Sequence, residues 1–333
     1  YFAATTDASL TVEDLTARLP EPIADALRAE EIAGRSVEVD TALERWRQRL
    51  SGIPAGLDLP WDGNRDDRGV VTTNLNVDIS LRRRIARRAV TEGATVFMVL
   101  HAALAALLSR LSGQDDIVIG TPVDLRGDPT LDDTVGMLLN SVPLRLEIAA
   151  EVSGGELVAA SRDTVTAALG DASVPLELIV AAADPEHRNT RAPIFQVLLT
   201  NHAPHLSELL LDGHVMAMRV VPQADAKMDL VVLCADDGTE IDITIENAAG
   251  LFSPLNARRF VGMLENFLVS LADHPEVPIG AIPLLDAAAA AVETRGADVA
   301  DRRPAPDGDI PEAFQAMARD NPAAVAIEEA DDR

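Results

Sequence analysis

The segment from Val96 to Leu111 places the strongest constraint on how this chain can fold. It is apolar almost all the way round a helix, with Thr95 placed to cap its start and Gly93 ending the helix before it. A helix without a polar face cannot lie on a surface, because it must be covered on several sides. The sequence therefore predicts a central helix with other elements packed around it.

The flanking segments alternate between strand and helix patterns. Residues 70–79 alternate apolar and polar side chains, which indicates a half-buried strand, and Ser80 is placed to cap the next helix. The pairs Asp212-Gly213 and Asp237-Gly238 lie between apolar runs and predict antiparallel hairpins. This mixed order predicts an α/β fold, an α+β sandwich with a mixed sheet and packed helices. Further strands are predicted over 116–123, 142–148 and 195–200, and further helices over 41–50, over 156–169, from Pro175 and from Ser253-Pro254.

Charge and composition narrow the classes of partner. The chain has 54 acidic and 28 basic residues and a net charge of −26, which disfavours binding to nucleic acid or to an anionic membrane surface. The longest uncharged stretch in the middle, Ala94–Ser109, is shorter than the roughly 20 residues of a membrane span. The one cysteine, Cys234, is predicted to be a core residue. A single cysteine fits a reducing compartment, so we expect the protein in the cytoplasm.

Motifs of self-contained catalytic or metal sites are absent from the sequence. His202 and His205 are close together, but no acidic or cysteine ligand is patterned nearby, so we predict no metal site. His101 lies inside the central helix, where a hydrogen-bonded core histidine is expected. Five arginines lie opposite the buried stripe of the helix after Ser80; we interpret them as a solvated face, with an acidic partner helix or a phosphate as the alternative. They are Arg82, Arg83, Arg84, Arg87 and Arg88.

Three stretches together carry the pattern of one family: DIVIGTPVDLRG (116–127), VGMLLNSVPLR (135–145) and HRNTRAPIFQV (187–197). They resemble the second half of the condensation domain of nonribosomal peptide synthetases. Gly136, Asn140 and Arg145 match that family's G-x-F-V-N-T…R motif.

Two further motifs of the family match in part. Pro175 and Glu177 match its H-Q-D-x-P-F-E motif, although Asp171 stands at the first position, where the family has His. Arg191 and Pro193 match its R-D-x-S-R-N-P-L motif.

The resemblance covers residues 41–286 and divides the chain. Trp46 matches the family's entry to its second lobe, and AKMDL (226–230) resembles a family strand. Residues 1–40 are interpreted as an N-terminal arm or linker and 287–309 as a second linker. Residues 310–333 resemble the start of an adenylation domain.

The resemblance implies a chloramphenicol-acetyltransferase-like lobe that walls one side of a tunnel. In that tunnel the phosphopantetheine arms of two carrier domains meet, so no cofactor is bound directly. By analogy, Arg126 would pair with the Asp of the family's H-H-x-x-x-D-G motif, while Asn140 and Arg191 would hold loops that line the tunnel. Hydrogen bonds that merely fix loops are an equally good interpretation of all three.

The H-H-x-x-x-D-G motif itself does not occur in this sequence. The second His of that motif handles the proton of the attacking amine or steadies the oxyanion. We therefore expect no catalytic residue in this chain and interpret it as a fragment of an amide-forming condensation domain. Its expected partners are the missing first lobe, upstream and downstream peptidyl carrier domains and an adenylation domain.

Two other functions stay open. The chain is alternatively a noncatalytic lobe that binds carrier domains or neighbouring proteins. An epimerisation domain or a free-standing acyltransferase of the same superfamily is the third hypothesis. The adenylation-like tail argues against this third hypothesis, because such proteins do not ordinarily continue into one.

Overall fold

The computed structural model describes residues 35–60, 62–64, 67–126, 138–183, 194–202, 208–211, 214–217 and 225–285. The described elements all belong to one compact unit, Tyr1–Leu284. The helices are α1 (Arg35–Arg49), α2 (Ile79–Thr91), α3 (Val96–Ser112), α4 (Gly154–Gly170), α5 (Leu176–Ala183) and α6 (Pro254–Asp273). The strands are β1 (Val70–Val77), β2 (Asp116–Asp124), β3 (Leu139–Glu147), β4 (Val197–His202), β5 (Glu208–Leu211), β6 (His214–Ala217), β7 (Leu230–Asp236) and β8 (Ile241–Ala248).

Six of the described strands form one mixed sheet in the order β1-β8-β7-β4-β2-β3. The two inner pairs, β7 with β4 and β4 with β2, are parallel, and the outer pairs are antiparallel. The remaining strands, β5 and β6, form a separate antiparallel pair. The predicted mixed sheet with packed helices is confirmed. So are both hairpins, although Asp212 and Gly213 themselves lie outside the described residues.

Helix α3 is the centre of the hydrophobic core, as its sequence predicts. Every residue from Met98 to Ser109 is buried, and Leu107 and Leu108 have no exposed surface. The core around it takes one face of the sheet and the apolar sides of α2 and α6. Thr95 caps its start, since its hydroxyl accepts the Met98 N–H, and Gly113 ends it with a φ of 70°.

The start of α2 differs from the sequence prediction. The strand ends at Val77, so Asp78 and not Ser80 caps the helix, because the Asp78 carboxylate accepts the Leu81 N–H at 2.8 Å. Ile79 therefore leaves the strand and becomes the first residue of the helix. Alternation in β1 still holds, with Leu75 and Val77 buried. Helix α1 also begins earlier than predicted, at Arg35 instead of residue 41.

His101 is a buried histidine of α3, as expected. Its Nδ1 lies 2.8 Å from the Ser161 hydroxyl, which itself donates to the Met98 carbonyl at 2.8 Å. The Ser161 hydroxyl proton is thus engaged by the Met98 carbonyl. Nδ1 of His101 must therefore be protonated and donate to the Ser161 oxygen. Burial lowers the pKa of His101 to about 4. Only the neutral ring is compatible with the folded core near neutral pH.

Gly120 in β2 is required by a close approach. The ring of Phe195 covers its α-carbon, and a Cβ at this position would lie 2.2 Å from a ring atom. Phe195 itself is buried. A glycine inside a buried strand often marks such an approach of a neighbouring group.

No single helix among the described residues is long and apolar enough to span a membrane. Taken together, α2 and α3 would be long and apolar enough to span a membrane, but the two helices are bent by 99° at the break between them.

We expect His101 to lower the free energy of unfolding in mild acid. Its pKa is depressed in the folded state, so its contribution is complete above the unfolded pKa of about 6.5 and is lost as the pH falls toward 4. This amounts to about 2 kcal/mol between pH 7 and pH 5. Urea unfolding of the wild type and His101→Gln at both pH values measures it. The variant should show the smaller loss, and parallel losses would contradict the prediction.

Gly120→Ala should destabilise the fold by about 1–3 kcal/mol, because the added methyl group must displace the Phe195 ring. Gly262→Ala is the matched control, since a Cβ there meets nothing within 4 Å and Gly262 lies inside helix α6. That control should be neutral or stabilising. Thermal unfolding of both variants tests the difference. Adding Phe195→Leu should recover part of the loss in the Gly120→Ala protein.

Candidate functional site

The structure brings together some of the candidate residues and leaves others undescribed. Gly136, Arg191 and Pro193 lie outside the described residues. Asn140 and Arg145 lie on β3, Arg126 follows β2, and Pro175 and Glu177 lie at the start of α5. The last two belong to the segment 171–177, which joins α4 to α5 and is called the joining segment below.

Asn140 holds the joining segment by its side chain. Its amide nitrogen donates to the carbonyl oxygens of Ala172 and Val174, both at 2.7 Å. Its amide oxygen accepts the N–H of Leu176 at 3.2 Å, one of the first-turn donors that a helix leaves unpaired. Two motifs that lie about 35 residues apart in sequence are thus connected directly. The loop-fixing interpretation of Asn140 is what these contacts show.

Asp171 fixes the same segment from the other side, and no sequence motif predicted this role. Its carboxylate accepts from Nε of Arg45 at 3.0 Å and forms ion pairs with Arg45 and Arg49 of α1. Hydrogen bonds from Arg45 and then Arg49 outweigh burial and lower the pKa of Asp171. The Asp171 carbonyl accepts the indole N–H of Trp46 at 3.2 Å. These partners are about 125 residues away, so no local motif could reveal them.

The joining segment therefore presents a fixed outer surface. Pro175 and Glu177 are exposed, and the Pro175 carbonyl accepts the N–H groups of Leu178 and Ile179, which starts α5 as predicted. Two large apolar side chains near this end of the sheet are also exposed, Leu139 at 54% and Leu178 at 45%. A backbone held from two sides can present the Glu177 carboxylate and the neighbouring Leu178 to another molecule without rearrangement.

Arg145 ties β3 to β2 and to the end of α1. Its guanidinium makes a bidentate pair with Asp116, at 2.8 and 2.9 Å, and donates to the carbonyl oxygens of Arg49 and Ser51. The hydrogen bonds to Asp116 raise the pKa of Arg145. With all three nitrogens engaged in these contacts, Arg145 stabilises the packing of β3 against β2 and α1.

Arg126 lies beside Asp124 at the end of β2. Its backbone N–H and its Nη1 both contact the Asp124 carboxylate, at 3.0 and 3.2 Å. The described residues end at Arg126 and resume at Leu138. The Leu138 carbonyl accepts the Leu125 N–H. The pairing of Arg126 with a first-lobe carboxylate stays a prediction.

A cleft of about 380 Å³ lies between α1, β3 and α4. Its lining is largely apolar, with the guanidinium groups of Arg49 and Arg145 at its edge. Arg49 stacks on the indole of Trp46, 4.4 Å from the ring centroid. The cleft does not include the exposed residues of the joining segment. It is a gap between packed elements of the compact unit.

Metal binding and thiol chemistry find no support in the part of the chain that the structure describes. It contains no group of three or more His, Cys, Asp or Glu side chains that could hold a metal ion. Cys234 is a buried core residue, as predicted, and burial raises the pKa of its thiol to about 12.

Comparison with known proteins gives a consistent family. The model of the family described as "Condensation domain" matches residues 29–292. A probable non-canonical nonribosomal peptide synthetase, CymA of Salinispora arenicola, is 32% identical over 277 residues, which are 80% of this chain and 4% of that protein. The phosphinothricin tripeptide synthetase PhsC of Streptomyces viridochromogenes is 34% identical over 249 residues, 72% of this chain and 22% of that protein. This chain thus spans a small part of these relatives.

Solved structures share the fold. The X-domain in its complex with OxyB from teicoplanin biosynthesis is 25% identical, with a TM-score of 0.68 over 78% of this chain and 58% of that chain. The first condensation domain of the calcium-dependent antibiotic synthetase, solved with a substrate analogue, is 20% identical, with a TM-score of 0.63 over 79% of this chain and 57% of that chain. The predicted chloramphenicol-acetyltransferase-like lobe is confirmed by these condensation-type folds.

Asn140→Ala should destabilise the protein by about 2–3 kcal/mol, because it leaves two carbonyl groups and one helix N–H without a partner. Asn74→Ala is the control, since Asn74 is exposed on β1 and bonds only one hydroxyl, that of Thr244. Its cost should stay within about 0.5 kcal/mol. Urea unfolding measures both variants, and equal costs would show that Asn140 does not hold the joining segment.

Proposed function

This chain belongs to the condensation-domain family, and we propose that it works as the second lobe of an amide-forming condensation domain in a nonribosomal peptide synthetase. The observation that carries the proposal is the contact of Asn140 with the joining segment. Asn140, which matches one family motif, holds the segment that carries Pro175 and Glu177 of a second motif and so keeps an exposed surface in place. We propose that this surface is one wall of the tunnel between two lobes.

The reaction assigned to the complete domain is the attack of an amine on a thioester. The nitrogen of the acceptor aminoacyl group forms the new C–N bond at the donor carbonyl carbon. The C–S bond breaks, and the thiol leaves on the donor's phosphopantetheine arm, while one proton is lost from the amine. The sequence contains no H-H-x-x-x-D-G motif to manage that proton. We therefore assign proton handling to the first lobe and positioning to this one.

Individual residues take the following roles in this proposal. Asn140 and Arg191 hold wall loops, and Arg126 meets the Asp of the first lobe's motif. The exposed Glu177 and Pro175 face the tunnel side of the wall. Arg145 acts at a distance by fixing β3 to β2 and α1, and Gly136 and Pro193 are assigned to the tunnel by their family motifs. The assignments of Gly136, Arg191 and Pro193 rest on the motifs alone, and the others rest also on the contacts described above.

The partners follow from the same proposal. They are a first lobe, an upstream and a downstream peptidyl carrier domain, and an adenylation domain that would begin at about residue 310. The phosphopantetheine arms belong to the carriers and enter as part of the substrates. The segments 1–40 and 287–309 would be linkers. A cytoplasmic site agrees with the single buried cysteine.

A noncatalytic docking lobe is the second candidate. One observation favours it: the sequence lacks the His pair. In addition, a protein of similar fold, the X-domain, was solved as a complex with OxyB. In this case the joining segment and the exposed Leu178 of α5 would contact a protein partner, and no amide bond would be formed.

A reconstitution assay separates the two candidates. The chain is incubated with aminoacyl-loaded donor and acceptor carrier domains, and amide product is measured by mass spectrometry. We expect no product from the chain alone and product after addition of a condensation-domain first lobe that carries the His pair. The same first lobe with its second His replaced by Ala is the control and should give none.

Product from the chain alone would overturn the two-lobe proposal. Carrier binding without product in the presence of an active first lobe would instead support the docking lobe. Since Asn140 holds the wall, Asn140→Ala should lower the rate of the reconstituted reaction about tenfold or more if the wall positions substrate.

A further inference from the structure

Helix α2 has an outer face that the proposed condensation reaction does not use. The helix packs on the core through Leu81, Ile85 and Ala89. On the opposite side, at helical spacing, lie Ile79, Arg83, Arg87 and Val90, which are called the α2 stripe below.

The other arginines of α2 are turned away from the stripe by ion pairs. Arg82 makes a bidentate pair with Asp236 at the end of β7, at 2.8 and 3.1 Å. Arg84 pairs with Asp273 at the end of α6. Arg88 pairs at 3.1 Å with Glu92, the residue that follows the last turn of α2. These side chains are bound at the flanks, so the face between them stays open.

Arg83 and Arg87 differ from these three. Both are exposed, and neither guanidinium has an ion-pair or hydrogen-bond partner within the residue ranges that the structure describes. They are four residues apart, so they lie on the same side of the helix with their Cβ atoms about 6 Å apart. Three carboxylates beside α2, those of Asp236, Asp273 and Glu92, pair with its other arginines, while the Asp78 carboxylate caps its first turn. The stripe thus keeps two positive charges that the protein does not neutralise.

The ends of the stripe are apolar. Val90 is 80% exposed, the most exposed large hydrophobic side chain in the described part of the chain, and Ile79 is 44% exposed. From Ile79 to Val90 the helix rises about 17 Å, or three turns. A surface with an apolar contact at each end and two cations between them is complementary to one helix of similar length.

Charge decides which partner fits. The whole chain carries a net charge of −26, whereas the α2 stripe carries two positive charges. A membrane or a nucleic acid presents an extended anionic surface, which would also face the negative remainder of the protein. A single acidic helix is narrow enough to contact the stripe without also facing the negatively charged remainder of the protein.

We propose that the α2 stripe docks an acidic amphipathic helix of a partner protein, with its carboxylates on Arg83 and Arg87 and apolar side chains on Ile79 and Val90. The small contact places this interaction in the weak, transient class. The inference goes beyond the proposed condensation function and does not depend on it, because none of the wall residues takes part.

The test uses the full chain and a synthetic, fluorescently labelled helical peptide. The peptide carries two glutamates four residues apart and a leucine near either end of the same face. We expect saturable binding in fluorescence anisotropy that weakens as salt is added. Arg83→Glu with Arg87→Glu should reduce the affinity about tenfold or more, and Val90→Ala should reduce it about twofold to threefold. A peptide with Gln in place of Glu should bind at least about tenfold more weakly.

Arg258→Glu is the matched control, because Arg258 is exposed on α6, outside the stripe, and should leave binding unchanged. Arg83→Gln with Arg87→Gln removes the charges without reversing them, and its circular dichroism and unfolding should equal those of the wild type. Three results would overturn the proposal: no saturable binding of the peptide, equal binding by the double Gln variant, or binding to phosphatidylglycerol vesicles in preference to the peptide.

Discussion

The burial of helix α3 from Met98 to Ser109 is the constraint on which the rest of the structure depends. Leu104 to Leu108 expose almost nothing, so the sheet, α2, α4 and α6 must all reach this helix. The few polar groups that it carries must also find partners inside the protein. His101 does so with Ser161 of α4, and Arg110 donates to the carbonyl oxygens of Ile279, Gly280 and Ile282. These bonds fix α4 and the end of the compact unit relative to the core.

The residues that match family motifs act here as structural ties. Asn140 joins β3 to the joining segment, and Arg145 joins β3 to β2 and α1. Asp171 ties the same segment to α1 through Arg45 and Arg49. Such long-range bonds make the outer surface around Glu177 rigid. Rigidity of this kind is what a positioning wall needs, because substrates gain from pre-organised contacts.

Arginine serves two different purposes in this acidic protein. Most described arginines near the core are paired with carboxylates from distant elements, as Arg68 is with Asp229 and Arg82 is with Asp236. Such pairs connect elements and leave little net charge at the surface. Arg83 and Arg87 keep their charge exposed. Three other arginines of α2 are paired with carboxylates, so the two charges that stay unpaired within the described residues distinguish the outer face of this helix from its flanks.

Most of the helices and strands could be predicted from the amino-acid sequence, because apolar periodicity and capping residues act over a few positions. The central helix, the cap at Thr95, the hairpin at Asp237-Gly238 and the helix opened by Ser253 all follow from such local patterns. The family motifs also indicated the fold. Long-range packing alone paired Arg82 and Arg84 with their carboxylates and placed Asp171 between Arg45 and Arg49. These outcomes depend on bonds between residues as many as 189 positions apart, whose distance is set by helix and sheet packing and leaves no local pattern in the sequence.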